Sequence, residues 1–152
     1  MDENLPSIIP GWVYTLMASI IVGTLLIYAF DVSTIGTKNQ AEEQQVTNIA
    51  EYVATKSCEL LSATTAENLS ISTKLDLPPL VGEQRYWIQL GNDSFAGWVE
   101  TGYGTTAYTT AQPVPIPVEV SASGVYVSDS GIAYLSSWAN STGTYLQLSG
   151  GS

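Results

Sequence analysis

The chain of 152 residues contains no histidine, which removes the commonest general base and the commonest ligand of transition metals. It has one cysteine, Cys58, so that no disulfide can form within the chain. We interpret Cys58 as a small buried apolar residue on a helix rather than as a reactive thiol or a bridge between subunits. Without disulfides, a small secreted domain must gain stability from a large sheet, from glycans or from polymerisation.

Basic residues are scarce and scattered. Only Lys38, Lys56, Lys74 and Arg85 stand against 14 acidic residues, which gives a formal net charge of −10. Nucleic-acid binding requires clustered basic side chains that displace phosphate counterions. We therefore expect no nucleic-acid partner. The acidic surface also repels anionic headgroups, so peripheral membrane binding by charge is not expected.

Catalytic and metal-binding patterns are also missing. A pair of carboxylates can cleave glycosides, but no spacing of acids here favours such a pair. No loop has the regular acidic pattern of a calcium site. We therefore expect no enzymatic activity, no metal and no cofactor other than possible N-linked glycans; a cluster of acids with a deep aromatic pocket would reopen the question. The candidate acids are Asp76, Glu83, Asp93, Glu100, Glu119 and Asp129.

One long apolar run is present. Ile8 to Phe30 comprises 23 residues without a charge. At about 1.5 Å per residue, a helix of this length spans the ~30 Å hydrocarbon core of a bilayer. Pro10 and Gly11 suit the start of a helix, and Trp12 and Tyr28 suit the two lipid interfaces. The run therefore predicts a transmembrane helix.

Two alternatives to a transmembrane helix fit the run less well. The buried helix of a soluble core usually carries a polar stripe, which this run lacks. A removable signal peptide has a basic flank and a shorter apolar region, whereas Asp2 and Glu3 flank this run. We therefore expect the segment to be retained as an anchor.

An amphipathic helix is predicted beyond Gly36, over residues 37–62, as a continuation of the apolar one. Together residues 11–62 would form a rod of roughly 75–80 Å. A kink or local melting is expected at Gly36. The apolar stripe would pack either on the following domain or on neighbouring subunits. Its members are Val46, Ile49, Ala50, Val53, Ala54, Ser57, Leu60 and Leu61.

The remainder of the chain has the pattern of a β domain. Short β-rich runs recur with Gly, Asn, Asp and Ser between them, which is typical of an antiparallel sandwich or barrel. We predict an α+β fold: residues 1–62 form a transmembrane or filament-core helix with its extension, and residues 63–152 form a small, surface-exposed, antiparallel, sandwich-like domain. The predicted strands are residues 69–77, 85–90, 96–103, 125–128, 132–138 and 144–149.

Prolines alternate with Val and Ile between Gln112 and Val120. Because proline cannot donate to a strand ladder, this segment is predicted to be an edge strand or a polyproline-like stretch. It could also be a peptide-binding groove or a subunit contact. Trp87, Trp98 and Trp138 are expected in the core and in subunit contacts, with sugar binding as the alternative.

Three glycosylation triplets begin at Asn68, Asn92 and Asn140, all at predicted turns or element boundaries. We predict that some of them carry glycans. The positive-inside rule gives little information, because so few basic residues flank the apolar helix. Lys38 and Lys56 slightly favour a cytoplasmic location for the C-terminal side of that helix. We nevertheless expect the domain outside the cell, because it is rich in Ser, Thr and Tyr, poor in lysine and bears these triplets.

The order of apolar helix, amphipathic extension and β domain, with GWVYTLMA at residues 11–18, resembles the archaeal type IV pilin-like superfamily of adhesion pilins and archaellins. The resemblance implies a homopolymer with helices in the core and β domains outside. Its subunits would lie in membrane lipid until pilus assembly machinery adds them to the filament. Pro10 precedes Gly11 where family precursors carry Lys or Arg, and Met17 replaces a frequent glutamate. The chain is therefore expected to be either mature from Met1 or uncleaved.

The expected function is a structural subunit of a surface filament for adhesion or surface contact, anchored in the plasma membrane before assembly. The alternative is a non-polymerising membrane-anchored surface protein such as a minor pilin or a pseudopilin. Small residues in the apolar helix would allow close helix approach. The predicted packing residues of the filament core are Trp12, Leu16, Ala18, Ile20, Gly23, Leu26, Ile27 and Phe30.

Overall fold

The computed structural model describes residues 8–67, 69–94, 96–107, 113–116 and 119–151. One long helix precedes a seven-stranded sheet, which confirms the predicted α+β arrangement. The elements are α1 (Ile8–Glu67), β1 (Ile71–Leu75), β2 (Tyr86–Asn92), β3 (Gly97–Tyr103), β4 (Val114–Ile116), β5 (Ser121–Val127), β6 (Ile132–Asn140) and β7 (Gly143–Gly151).

The chain divides into two compact units, residues 1–41 and 42–152. Helical residues from Glu42 onward therefore belong to the same unit as the sheet. The helix also continues past the predicted end of the amphipathic segment at Ser62, as far as Glu67.

Helix α1 is continuous through Gly36, so the predicted local melting there is wrong. The threonines on either side follow the helical geometry: Thr34 Oγ1 donates to the Phe30 carbonyl at 2.8 Å and Thr37 Oγ1 to the Ser33 carbonyl at 2.9 Å, each one turn back. One glycine costs a helix about 1 kcal/mol relative to alanine. A cost of this size does not break a helix that continues for several turns on both sides of the glycine, so the helix persists.

The predicted apolar stripe of the amphipathic segment is confirmed, because all eight of its members are buried. Val53 and Ser57 are fully enclosed, and Ser57 Oγ donates to the Val53 carbonyl at 2.8 Å. The stripe forms one apolar core with sheet residues such as Ile88 and Leu135. Of the two partners considered, the stripe therefore packs on the β domain of its own chain.

The strands form one sheet in the order β1-β6-β7-β5-β2-β3-β4. The pairs are antiparallel as predicted, except that β5 and β7 run parallel, with Ser121 opposite Tyr145 and Ser123 opposite Gln147. The apolar face of the sheet packs on α1 rather than on a second sheet. A helix that already covers this face removes the need for the second layer of a sandwich.

The proline-rich segment lies at an edge of the sheet, as predicted. Strand β4, which contains Pro115, is the last in the order and pairs with β3. Proline at this position leaves the edge without a complete row of donors, which discourages further strand addition. Gln112, Pro117 and Val118 lie outside the described residues.

The first half of β5 was not predicted, and Gly124 explains how it joins two neighbours. Strand β5 pairs with β7 up to Ser123 and with β2 from Gly124, which lies opposite Leu90. Gly124 has a φ of 121°, and a Cβ there would fall on the carbonyl oxygen of Leu148. Only glycine satisfies both the backbone conformation and the close approach.

Replacing Gly124 by alanine should destabilise the β domain by about 3 kcal/mol or more, since strain and overlap add. We expect the Tm in detergent to fall by roughly 10 °C or more. Gly104→Ala is the matched control, because Gly104 also has a positive φ of 100° but open space around it. Equal losses for both variants would contradict the role of the Leu148 contact.

Two buried tyrosines of the sheet form hydrogen bonds with loop carbonyls. Tyr86 Oη donates to the Pro78 carbonyl at 2.6 Å, and Tyr126 Oη donates to the Gly131 carbonyl at 2.9 Å. Burial raises the pKa of both hydroxyls above the ordinary value of 10.0, with smaller contributions from Tyr126 and Asp129 respectively. Both tyrosines are therefore held in the neutral form by the fold.

Stability should consequently be constant near neutral pH and fall above pH ~10, because the unfolded chain releases these protons first. Each tyrosine contributes up to about 1.4 kcal/mol per pH unit to the decline. The check is the Tm between pH 8 and 11.5. Tyr86→Phe should lower the Tm at pH 8 but make the alkaline decline shallower; an unchanged slope would contradict the assignment.

Candidate functional site

The apolar part of α1 is exposed around its whole circumference. Fifteen large apolar side chains between Trp12 and Ile35 are exposed, from 41% at Val13 to 73% at Tyr14. Leaving one such side chain in water instead of burying it forgoes about 1.5–3 kcal/mol. Fifteen of them together exceed the whole stability of an ordinary domain of about 5–15 kcal/mol. This surface therefore requires lipid or protein around it.

Among the described residues, one helix is long and apolar enough to cross a membrane by length and composition. Its most apolar 18-residue window has a mean hydropathy of 2.0, and 0% of that window is buried. The same finding would fit an anchor or a signal segment. The sequence also allowed the buried helix of a soluble core. That alternative does not fit, because no part of the apolar window is buried in the described residues.

The hydroxyls within the apolar segment are already satisfied by their own helix. Thr15 Oγ1 donates to the Gly11 carbonyl at 3.0 Å, and Ser19 Oγ donates to the Thr15 carbonyl at 2.9 Å. Thr24 Oγ1 does the same to the Ile20 carbonyl at 2.8 Å. In a medium without water, a hydroxyl needs such an internal acceptor. The three polar residues of the segment are therefore compatible with lipid.

The predicted packing residues all lie in this segment, and none of them is buried by the rest of its own chain. At Gly23 an added Cβ would meet no atom within 4 Å, so the space beside this glycine is open. Whether copies of the chain fill that space stays a prediction. The residues are Trp12, Leu16, Ala18, Ile20, Gly23, Leu26, Ile27 and Phe30.

Two tryptophans on the outer face of the sheet cover glycines on the neighbouring strand. Trp87 lies opposite Gly102, where a Cβ would approach the indole to 2.7 Å. Trp98 lies opposite Gly91, where an added Cβ would lie 2.8 Å from the Trp98 indole. Trp98 Nε1 also donates to Glu100 Oε1 at 3.1 Å. Trp87 is fully buried. These contacts favour the structural interpretation over sugar binding for Trp87.

Trp138 and Tyr145 form a further pair on the same face, across β6 and β7. Their rings are stacked, with centroids 5.6 Å apart and planes at 6°. Tyr145 Oη also lies 3.3 Å from Thr142 Oγ1 and donates to it. Both rings remain partly exposed. This pair therefore stabilises the sheet and leaves aromatic surface accessible.

A cleft of about 370 Å³ opens beside Tyr145, between the β2–β3 and β6–β7 turns. Two of the candidate acids, Asp93 and Glu119, line it together with Asn92 and Thr142. The structure thus brings together two acids that are far apart in sequence, beside an aromatic ring. Sequence reasoning missed this cleft because its walls come from three separate segments.

The other candidate acids lie elsewhere. Glu100 is buried and accepts the hydrogen bond from Trp98, while Asp129 forms an ion pair with Arg85 at 2.9 Å. Asp76 and Glu83 are exposed. Among the described residues there is no group of three or more Cys, Asp or Glu side chains able to hold a metal ion.

The two described glycosylation triplets differ in how their asparagines are bonded. Asn140 Oδ1 accepts hydrogen bonds from the Thr142 backbone N–H at 2.9 Å, from Thr142 Oγ1 at 2.5 Å and from the Gly143 N–H at 3.1 Å. By contrast, Asn92 Nδ2 donates to the Asp93 carbonyl at 3.2 Å. The nitrogen that would carry a glycan is therefore engaged at Asn92. Asn68 lies outside the described residues.

Comparison with protein-family models, with curated proteins and with solved structures gave no match to the chain.

We expect glycan occupancy in the native host to be higher at Asn140 than at Asn92, because the hydrogen bonds of Asn140 are accepted by its Oδ1, whereas Nδ2 of Asn92 itself donates one. Glycopeptide mass spectrometry measures both sites. Thr142→Ala should abolish occupancy at Asn140 and leave Asn92 unchanged. Equal or reversed occupancy would show that the local bonding does not decide it, and only bare asparagines at all three triplets, Asn68 included, would refute the prediction of glycans.

Proposed function

We propose that this chain is a non-enzymatic structural subunit of a cell-surface filament of the archaeal type IV pilus kind, serving adhesion or surface contact. One observation carries the proposal. Helix α1 exposes fifteen large apolar side chains before Gly36, whereas the apolar stripe from Val46 to Leu61 is buried against its own sheet. The same helix therefore has a partner for one half and needs an external partner for the other.

Lipid is the first external partner. The charge-free run from Ile8 to Phe30 matches the thickness of the hydrocarbon core, and its hydroxyls are bonded internally. The proposal accordingly places the subunit in the plasma membrane before assembly, with the β domain outside. Pilus assembly machinery would then extract it.

Copies of the chain are the second external partner. Lipid tails and apolar side chains are similar surroundings, so that a helix without charges loses little on moving between them, and packing then favours association. Gly23, with its open surroundings, and Ala18 allow close helix approach. The buried stripe of residues 46–61 is not available for this purpose. The filament contacts are therefore assigned to residues 11–36 rather than to the whole helix.

The β domain fits the exterior of such a filament. Its apolar face is covered by its own helix, so it requires no copy to complete its core. The acidic excess of the chain keeps copies soluble and opposes nucleic-acid binding. The partly exposed Trp138–Tyr145 pair and the neighbouring cleft offer a polar and aromatic surface for contacts outside the cell.

Removal of residues 1–36 should convert the protein into a soluble monomer, whereas the full chain should give filaments after detergent removal or in material sheared from cells. Light scattering and negative-stain microscopy measure both, and near-UV circular dichroism checks that the truncated chain keeps its tertiary packing. Polymers from the truncated chain would overturn the assignment of contacts to residues 11–36. A full chain that stays in membranes and never polymerises would instead support the alternative of an anchored, non-polymerising surface protein.

A further inference from the structure

The cleft beside Tyr145 lies where β5 changes its neighbour in the sheet. Strand β5 pairs with β7 from Ser121 to Ser123 and joins β2 only at Gly124, which lies opposite Leu90. The β2–β3 turn therefore extends beyond the ladder between β2 and β5, and the cleft of about 370 Å³ occupies the gap. Small-molecule pockets are usually ~300–1,000 Å³. The size of this cleft therefore suits one small ring or the end of a longer ligand.

One face of the Tyr145 ring is covered, and the other borders the cleft. Trp138 stacks on the covered face, with ring centroids 5.6 Å apart and planes at 6°. The strand on the other side of β7 places Ser121 opposite Tyr145, and this exposed side chain is too short to cover a ring. The second ring face is therefore available to a ligand in the cleft. Because Trp138 holds the ring in place, a ligand that stacks on it orders few side chains, which keeps the cost of binding low.

The walls of the cleft combine carboxylates with hydroxyl groups. Asp93 is held in the β2–β3 turn, where its Oδ1 accepts a hydrogen bond from the Ala96 N–H at 2.9 Å. The Glu119 carboxylate forms no hydrogen bond or ion pair with any other described residue. A carboxylate only accepts hydrogen bonds, whereas a hydroxyl both donates and accepts them. The hydroxyl groups of the cleft belong to Ser94, Ser121, Thr142 and Thr144.

A neutral sugar ring matches this combination of groups. One side of a pyranose presents C–H groups, which stack on the electron-rich face of an aromatic ring. Its edge carries hydroxyls, which donate to carboxylates and accept from serine and threonine. The two carboxylates and the net charge of −10 repel an anionic ligand. An ammonium or guanidinium group would pair with the carboxylates, but it only donates and would leave the hydroxyl donors without an acceptor.

We propose that the cleft binds a neutral sugar ring, which stacks on the open face of Tyr145 and donates hydrogen bonds from its hydroxyls to Glu119. This inference rests on the adhesive role in the proposed function and names the class of its ligand. All the groups come from one copy of the chain, so that a single subunit is sufficient for binding. Two sources offer such a ring: glycans of another surface, and N-glycans on copies of this chain, whose Asn92 also lines the cleft.

The full chain in phosphatidylcholine nanodiscs, whose headgroups carry no sugar, tests the proposal. Production in bacteria that lack N-glycosylation keeps the chain's own glycans out of the cleft, and EDTA prevents a divalent cation from mediating the contact. The probes are the methyl glycosides of glucose, galactose and mannose, measured by saturation-transfer NMR against empty nanodiscs. The tightest should bind with a Kd on the order of 1 mM, as expected for about a dozen heavy atoms. Absence of binding by all three would overturn the proposal.

Side-chain variants test the two contacts. Tyr145→Ala and Glu119→Ala should each raise the Kd roughly tenfold, whereas Tyr145→Phe keeps the ring and should change it by less than about twofold. Tyr134→Ala is the matched control, because Tyr134 is also a partly exposed aromatic residue on the outer face of β6, at 37%, but lies outside the cleft. Near-UV circular dichroism checks the fold of each variant. A loss as large in Tyr134→Ala, or none in Tyr145→Ala and Glu119→Ala, would contradict the assignment.

Two further probes separate a neutral sugar from charged ligands. The uronide of the tightest sugar differs from it by a carboxylate at C6. It should bind at least several-fold more weakly, and Glu119→Gln should narrow this difference because it removes a like charge. Nα-acetyl-lysine methylamide should bind more weakly than the sugars. Tighter binding of this probe would overturn the proposal in favour of a basic peptide.

The source of the sugar and the filament are tested separately. If the ligand belongs to another surface, glycosylated protein from the native host should bind the probe as the bare chain does. Binding that appears only after removal of the N-glycans would identify those glycans as the sugar in the cleft. Filaments from a chain that binds no sugar would overturn the assignment of the cleft alone. Sugar binding by a chain that never polymerises after removal of the nanodiscs would support the cleft and overturn the proposed filament.

Discussion

The burial of the apolar surface of α1 is the constraint on which the rest of the structure depends. A single helix carries two apolar surfaces of different form: a narrow stripe from Val46 to Leu61 and a complete cylinder before Gly36. A stripe can be covered by one sheet, whereas a cylinder must be surrounded. The described residues contain one sheet, and its apolar face packs on the stripe. The requirement for further partners thus follows from geometry as much as from hydropathy.

A few particular residues give the sheet the surface that covers the apolar stripe of the helix. Gly124 lets β5 run beside β7 and then beside β2, which joins both halves of the sheet into one surface broad enough for the helix. On the opposite face, Trp87 and Trp98 fill the space above Gly102 and Gly91. A large side chain over a strand glycine restores the packing that the glycine lacks. The sheet is therefore stabilised on both faces without a disulfide.

The sequence was most informative where neighbouring residues determine structure. The spacing of Val46, Val53 and Leu60 predicted the buried stripe because helical periodicity is local. The first half of β5 was missed because Ser121 to Gly124 contains no β-branched or aromatic residue. The parallel pairing of β5 with β7 could not be predicted from the local sequence either, because it depends on where the whole sheet places β7. The cleft beside Tyr145 and the different bonding of Asn92 and Asn140 arise from contacts between turns, which a local pattern does not encode.

The internal bonding of Thr15, Ser19 and Thr24 has a consequence for the reversibility of the proposed assembly. Because each hydroxyl uses a carbonyl of its own helix, the segment has the same hydrogen bonds among fatty acyl chains as among identical helices. Passage in either direction is then a transfer between two solvents that requires no refolding. A subunit withdrawn from the polymer could dissolve again in the bilayer in a form ready for another round of use.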